Sequence, residues 1–245
     1  MGIKKHIPQN VKTFLTQRLR VYRDWRSGDV DRFANVNPNV SSNDYTHKLE
    51  IAQPIYGTDG SLNKIDNIRL AKGLIEQVEI KPGQIFSFYH TIGQPLKNNG
   101  YKKGRNIIKG ELTEDYGGGL CQLAGLIFHL AISSGLEIAE RHNHTVDLYA
   151  ETERYTPLGA DATVVFGYKD LRIVNNLDHT IRFSFDVEED RITGYVNGQK
   201  EIIPMKVEFE RIGELNGSRV VKTKTTSPDG AVKLDIISEY WKLRS

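Results

Sequence analysis

The sequence predicts an α+β fold in which a central helix carrying Cys121 packs on a mostly antiparallel sheet, with an N-terminal helix and a C-terminal β appendage. Three observations predict it. Leu123, Leu126, Ile127, Leu130 and Ala131 recur at i, i+3, i+4, i+7 and i+8, the stripe of a helix buried along one side. Short runs rich in β-branched and aromatic residues follow that helix. Asn197-Gly198, Asn216-Gly217 and Asp229-Gly230 punctuate the later runs, and such dipeptides favour the positive φ angles of tight hairpins.

In chain order, Val11, Leu15, Leu19 and Tyr22 fall at helical spacing opposite a basic face, so residues 8–25 read as an amphipathic helix. Residues 27–63 are rich in Asn, Asp, Ser and Gly, with Asn37-Pro38 and Asp59-Gly60 as turn signals, and read as loop with short strands. Asp66 or Asn67 is placed to cap a helix carrying Ile68, Ala71, Leu74, Ile75 and Val78. Lys81-Pro82-Gly83 breaks it, and residues 85–89 read as extended. Seven glycines between Gly93 and Gly119 mark tight turns or close backbone approach before the cysteine helix, residues 120–134, which Gly135 is placed to end. Strands are expected at 136–139, 146–150, 162–166, 171–174, 181–187, 191–196, 220–226 and 232–240. The chain divides on this reading into an N-terminal helix and loop-rich segment (1–64), a core (65–200) and a β extension (201–245).

Composition narrows the classes. At 245 residues the chain is long enough for a real core, and 38% hydrophobic with 26% charged residues is ordinary for a globular protein. A net charge of only +2 gives no global field for nucleic acid, so no such partner is expected. The charge is uneven, however: Lys4, Lys5, Lys12, Arg18, Arg20, Arg23 and Arg26 face Asp24 alone in residues 1–26. That basic head reads either as a solvated face or as a peripheral contact for an anionic surface. No stretch approaches the ~18–20 apolar residues of a membrane span, and no apolar secretory core stands near Val11, so a cytoplasmic location is expected. A single cysteine excludes an internal disulfide framework.

That cysteine carries the chemistry. Gly117-Gly118-Gly119 lets the main chain turn sharply immediately before a helix, leaving room for a substrate backbone. Cys121 then falls in the first helical turn, where unpaired N–H groups and the positive dipole end favour a thiolate. The same N–H groups, around Gly118, Gly119 and Gln122, are placed to serve as an oxyanion site, with the Gln122 side chain as a further donor. A base is offered by Arg141-His142-Asn143-His144: strand alternation would put both imidazoles on one face, with His144 as base and His142 as a substrate or supporting contact. Asp161 is the expected orienting carboxylate, with Asp147 second. His129 reads as packing on the cysteine helix, and His6, His47, His90 and His179 carry no spacing signal. A zinc site from Cys121, His142 and His144 is conceivable, but the paired-cysteine and His-Glu-x-x-His signatures are absent; no metal or cofactor is expected. Redox sensing would lack a resolving cysteine.

Several motifs give the chain a family resemblance. They are Lys81-Pro82-Gly83-Gln84-Ile85-Phe86-Ser87-Phe88, Gly100-Tyr101-Lys102 and Gly117-Gly118-Gly119-Leu120-Cys121-Gln122, then residues Gly135 to His144 and Pro157 to Val164. In order and spacing, over roughly residues 65–200, they resemble the VanW family. That resemblance implies a link to the bacterial cell wall and to glycopeptide resistance, and in some relatives an L,D-transpeptidase activity that uses a family cysteine matching Cys121. It implies peptidoglycan stem peptides or their precursors as partners, handled by acyl transfer or peptidase chemistry. Many relatives of this kind work at the cell envelope. The alternative is a non-catalytic module that binds cell-wall peptides or a cell-wall enzyme. Leu123-Ala124-Gly125 departs from the Val-Ser-Thr expected at that place in the family.

Overall fold

The computed structural model describes residues 8–39, 44–56, 61–108, 111–147 and 154–242. His6, Lys4, Lys5, the Asp59-Gly60 turn signal and the end of the strand expected at 146–150 lie outside them. The architecture is α+β, and its ladders are antiparallel apart from one short parallel pairing.

The core sheet joins β1 (His47–Pro54), β9 (Arg191–Gly198) and β8 (Ile181–Val187) in that order. Residues read as loop with short strands thus supply an eight-residue strand to the core. Leu49 and Ile51 alternate toward the interior, which is all the pattern a half-buried strand requires. Asn197-Gly198 is not a hairpin turn. It lies inside β9, whose register continues against His47 and Ile181.

Two helices pack against this sheet. α2 (Ser61–Ile75) begins before the expected cap, because its apolar stripe already includes buried Ile65 ahead of Ile68, Ala71 and Ile75. Asn67 therefore sits mid-helix, free to bond elsewhere. The residues expected to be extended after Ile85 form β2 (Ile85–Ser87) and a short helix α3 (Phe88–Ile92), because the Ser87 hydroxyl accepts the His90 amide and caps a turn. A hairpin, β3 (Lys103–Ile108) with β4 (Glu111–Tyr116), leads to α4 (Leu120–Ser133). Gly194 of β9 is where α4 approaches: a Cβ there would meet Leu130 and Leu126 at 2.8 and 3.0 Å. α4 stops as the sequence indicates. With Gly135 at φ +70°, Leu136 donates to Ala131 O (2.9 Å) and Gly135 to Ile132 O (3.3 Å), the two bonds of a Schellman closure.

Behind α4, β5 (Glu137–Glu140) pairs with β7 (Arg172–Val174), which also pairs with β2. The C-terminal sheet runs β10 (Lys206–Leu215), β11 (Ser218–Thr226) and β12 (Val232–Lys242), with β6 (Val146–Asp147) parallel to the end of β12. Asn216 and Gly217, both at positive φ, close the first hairpin as expected. Val207, Phe209, Leu234 and Ile236 lay this sheet on the core.

α1 (Gln9–Ser27) departs most from expectation. Its polar side docks, and its apolar stripe faces solvent. Arg20 donates twice to Glu140 (2.9 and 2.6 Å), and Arg172 donates twice to Asp24 (both 2.7 Å). Bidentate, part-buried pairs of this kind hold a helix face without apolar burial. Among the described residues no helix is long and apolar enough to cross a membrane.

Candidate active site

The glycine turn is held from below by α2. Asn67, almost fully buried, donates to Lys102 O (2.9 Å) and Gly118 O (3.0 Å) and accepts the Lys102 amide (2.7 Å). Gly119 is the N-cap of α4 at φ +97°, and a Cβ there would meet the Lys64 stem at 2.7 Å, so both backbone and space require glycine. Burial in turn lowers the Lys64 ammonium to about 8. Of the first amides of α4, Leu120 donates to Gly117 O and both Gln122 and Leu123 to Gly119 O. Among the described residues no backbone carbonyl meets the Cys121 amide, which leaves that N–H as the helix-tip donor.

Two irregular segments cross this helix tip side by side. Residues 141–144 leave β5, and residues 161–164 return beside them; Thr163 donates to His142 O (2.7 Å) and the Arg141 Nε to Asp161 O (2.8 Å). Neither segment is a strand, contrary to expectation, since side chains rather than a ladder take most of their polar groups. Gly125 of α4 makes the crossing possible. A Cβ there would stand 3.3 Å from the Ala162 nitrogen and 3.5 Å from the Asp161 Cα.

The crossing brings Cys121, His144 and Asp161 together. The part-buried Cys121 sulfur lies 3.6 Å from Thr163 Oγ1 and 3.7 Å from Val164 O. His144 Nδ1 is 2.7 Å from Asp161 Oδ2, which also accepts the His144 amide at 2.8 Å. An ionised carboxylate only accepts, so Nδ1 carries the proton and Nε2 is the nitrogen left for the thiol. The electrostatics agree. Burial pushes the Cys121 thiol up, but His144, the Val164 backbone and Thr163 outweigh it and bring the thiol below its ordinary value. Burial would likewise lower His144, yet Asp161 and the cysteine raise it well above the ordinary imidazole range. Asp161, against its own burial, is held far below the usual carboxylate range by His144 and Arg141.

Asp161 is itself braced by groups the sequence reading did not single out. Its Oδ1 accepts from Arg141 Nη2 (3.0 Å) and from the Tyr240 hydroxyl (2.6 Å), the latter on the C-terminal sheet. Arg141 stacks over Phe128 of α4 at 4.8 Å and donates to Ser238 (2.6 Å). The Tyr89 hydroxyl is raised by burial and by the charge of Cys121. A cleft opens beside His144 between Arg154, Tyr155, Pro157, Leu158 and Tyr240.

Other expected site residues are placed differently. His142 turns to Glu140, with Nε2 2.9 Å from its Oε1, because the segment leaves β5 before alternation can align it with His144. That orientation does not assemble a Cys121–His142–His144 zinc set, and among the described residues no group of three His, Cys, Asp or Glu side chains is arranged for a metal. The Gln122 side chain donates to Pro54 O (2.9 Å) at the end of β1 rather than toward the sulfur. Asp147 is engaged by Arg154 and Arg219. His129 packs edge-on against Phe209 at 5.4 Å.

The fold and this helix-tip cysteine with its histidine and carboxylate define a class: α+β proteins with a cysteine-centred polar constellation. Residues 63–197 match the family described as VanW like protein, and the chain belongs to that family. It is 33% identical over 139 residues to the vancomycin B-type resistance protein VanW of Enterococcus faecalis, covering 57% of this chain and 50% of that protein. It is also 33% identical over 150 residues to the uncharacterized protein YoaR of Bacillus subtilis, covering 60% and 48% respectively. The chain thus spans about half the length of these relatives. No solved structure matches it. Cys121, His144 and Asp161 fall within the matched region; Tyr240 falls outside it.

Proposed function

We propose that this protein is a cysteine-dependent acyltransferase or peptidase acting on peptidoglycan stem peptides or their precursors. The observation that carries the reading is the Cys121–His144–Asp161 arrangement at the tip of α4, with the thiol lowered and the imidazole raised. In this reading the thiolate attacks a peptide carbonyl and the Cys121 amide faces the oxyanion. The His144 imidazolium gives its proton to the departing amine, leaving a thioester. An acceptor amine or a water then loses its proton to His144, attacks the thioester and restores the thiol. Asp161 keeps the imidazole in the required tautomer. The wall-peptide substrate class is supported by the family resemblance and by the vancomycin resistance in the name of the Enterococcus relative.

Incubation with disaccharide-free stem tetra- and pentapeptides, read by mass spectrometry, tests it. Thioester on Cys121 and processed peptide are expected from the parent chain, and neither from Cys121→Ala. Full turnover by Cys121→Ala overturns the reading. Peptide binding undiminished in Cys121→Ala, with no turnover by the parent chain, would assign the site to a binding module.

A further inference from the structure

The exposed side of α1 is apolar. At about 100° per residue, Val11, Phe14, Leu15, Arg18, Val21, Tyr22 and Trp25 share one arc of the helix, while Thr13, Gln17, Arg20 and Asp24 occupy the opposite one. The second set meets the body: Thr13 and Gln17 lie against Gly167, and Arg20 and Asp24 make the ion pairs with Glu140 and Arg172. The first set meets solvent, with Phe14 53%, Val21 52%, Tyr22 54% and Trp25 69% exposed. A surface helix ordinarily buries its apolar stripe; here the pairing is reversed, and contiguous apolar surface of this kind marks an interaction site.

Charge selects the occupant. Arg18 stands at the centre of the apolar arc, its guanidinium over the Phe14 ring at 5.1 Å, and Lys12 and Arg26 lie along one edge. The one carboxylate of the helix, Asp24, is turned inward onto Arg172. Two copies laid face to face would therefore oppose cation to cation. An anionic phospholipid surface instead accepts the aromatic and aliphatic side chains among its acyl chains, while long cationic side chains reach phosphates at the same depth. Trp25 and Tyr22, with ring centroids 6.1 Å apart, suit that polar–apolar boundary.

We infer that α1 is an interfacial membrane helix, which docks the folded body onto an anionic lipid bilayer through Phe14, Val21, Tyr22 and Trp25, with Arg18 and Lys12 on the headgroups. The arrangement needs no membrane span, and the ion pairs to Glu140 and Arg172 fix the body rigidly beneath the helix.

Flotation of the full chain with phosphatidylglycerol/phosphatidylcholine vesicles and with pure phosphatidylcholine vesicles tests this. Trp25 emission is read in a Trp241→Phe background. Partition onto the anionic vesicles, a blue shift and quenching by brominated lipid are expected, with at least tenfold weaker partition onto phosphatidylcholine or in 0.5 M salt. Phe14→Ser with Val21→Ser should lower partition at least tenfold, as should Arg18→Glu on the anionic vesicles. Unchanged Cys121 alkylation shows that these variants are folded. Absent partition at low salt, or partition indifferent to all three substitutions, overturns the inference. So does a concentration-dependent dimer that the same substitutions abolish, which would give the face to a second copy.

Discussion

Replacing Tyr240 by Phe keeps the ring and removes one hydroxyl donor from a buried carboxylate. Tyr240 and Asp161 are both buried, and their 2.6 Å contact is a hydrogen bond to a charged acceptor. Such a bond contributes about 1.5–3 kcal/mol, and Arg141, left on the same oxygen at 3.0 Å, keeps the loss from growing to that of an unpaired charge. For a chain of this length that corresponds to a melting temperature lower by about 3–12 °C. The loss also has a pH signature. The folded value of Asp161 is depressed, so its contribution is present above the unfolded value of about 3.9 and is lost as pH falls through the folded one. Removing the tyrosine donor raises that folded value, so Tyr240→Phe should be destabilised at neutral pH and converge with the parent chain in acid. Urea unfolding at neutral pH, and in steps down through the folded value of Asp161, measures both. Equal stability within about 0.5 kcal/mol at pH 7, or a constant gap across the range, would refute the bracing role.

Two further outcomes follow from the site. In His144→Ala the upward push of burial on Cys121 loses its largest opponent, so the inflection of iodoacetamide reactivity should move from below ~8.5 to at or above it, with roughly tenfold slower alkylation at pH 7 per unit moved; an unmoved inflection would separate the imidazole from the thiol. Asn67→Ala strips the Lys102 amide and Gly118 carbonyl of their buried partner and should cost about 1–3 kcal/mol in urea unfolding, with slower Cys121 alkylation as the glycine turn relaxes.

The parts of the site that the sequence exposes are those with local signals. Three glycines before an apolar stripe mark the tip of α4, and the Schellman glycine marks its end. His144 and Asp161 were legible as chemistry-bearing types near a lone thiol, and the chain brings them to one another. Their supports were not. Asn67 sits in an ordinary helical stripe, and Tyr240 in an ordinary alternating strand, 79 residues from the carboxylate it serves. The face of α1 is a similar case. Periodicity reveals which residues share a side but not which side docks, and the deciding ion pairs span 120 and 148 residues. His142 was misplaced by assuming that strand alternation persists past Glu140.

The tyrosine on β12 also sets a clock. During synthesis the glycine turn, the thiol, the imidazole and the aspartate are all made long before residue 240, so the carboxylate waits without its full set of donors until almost the whole described chain has folded. A nascent or C-terminally clipped molecule would hold the aspartate by its arginine and histidine partners alone, one donor short of the finished fold.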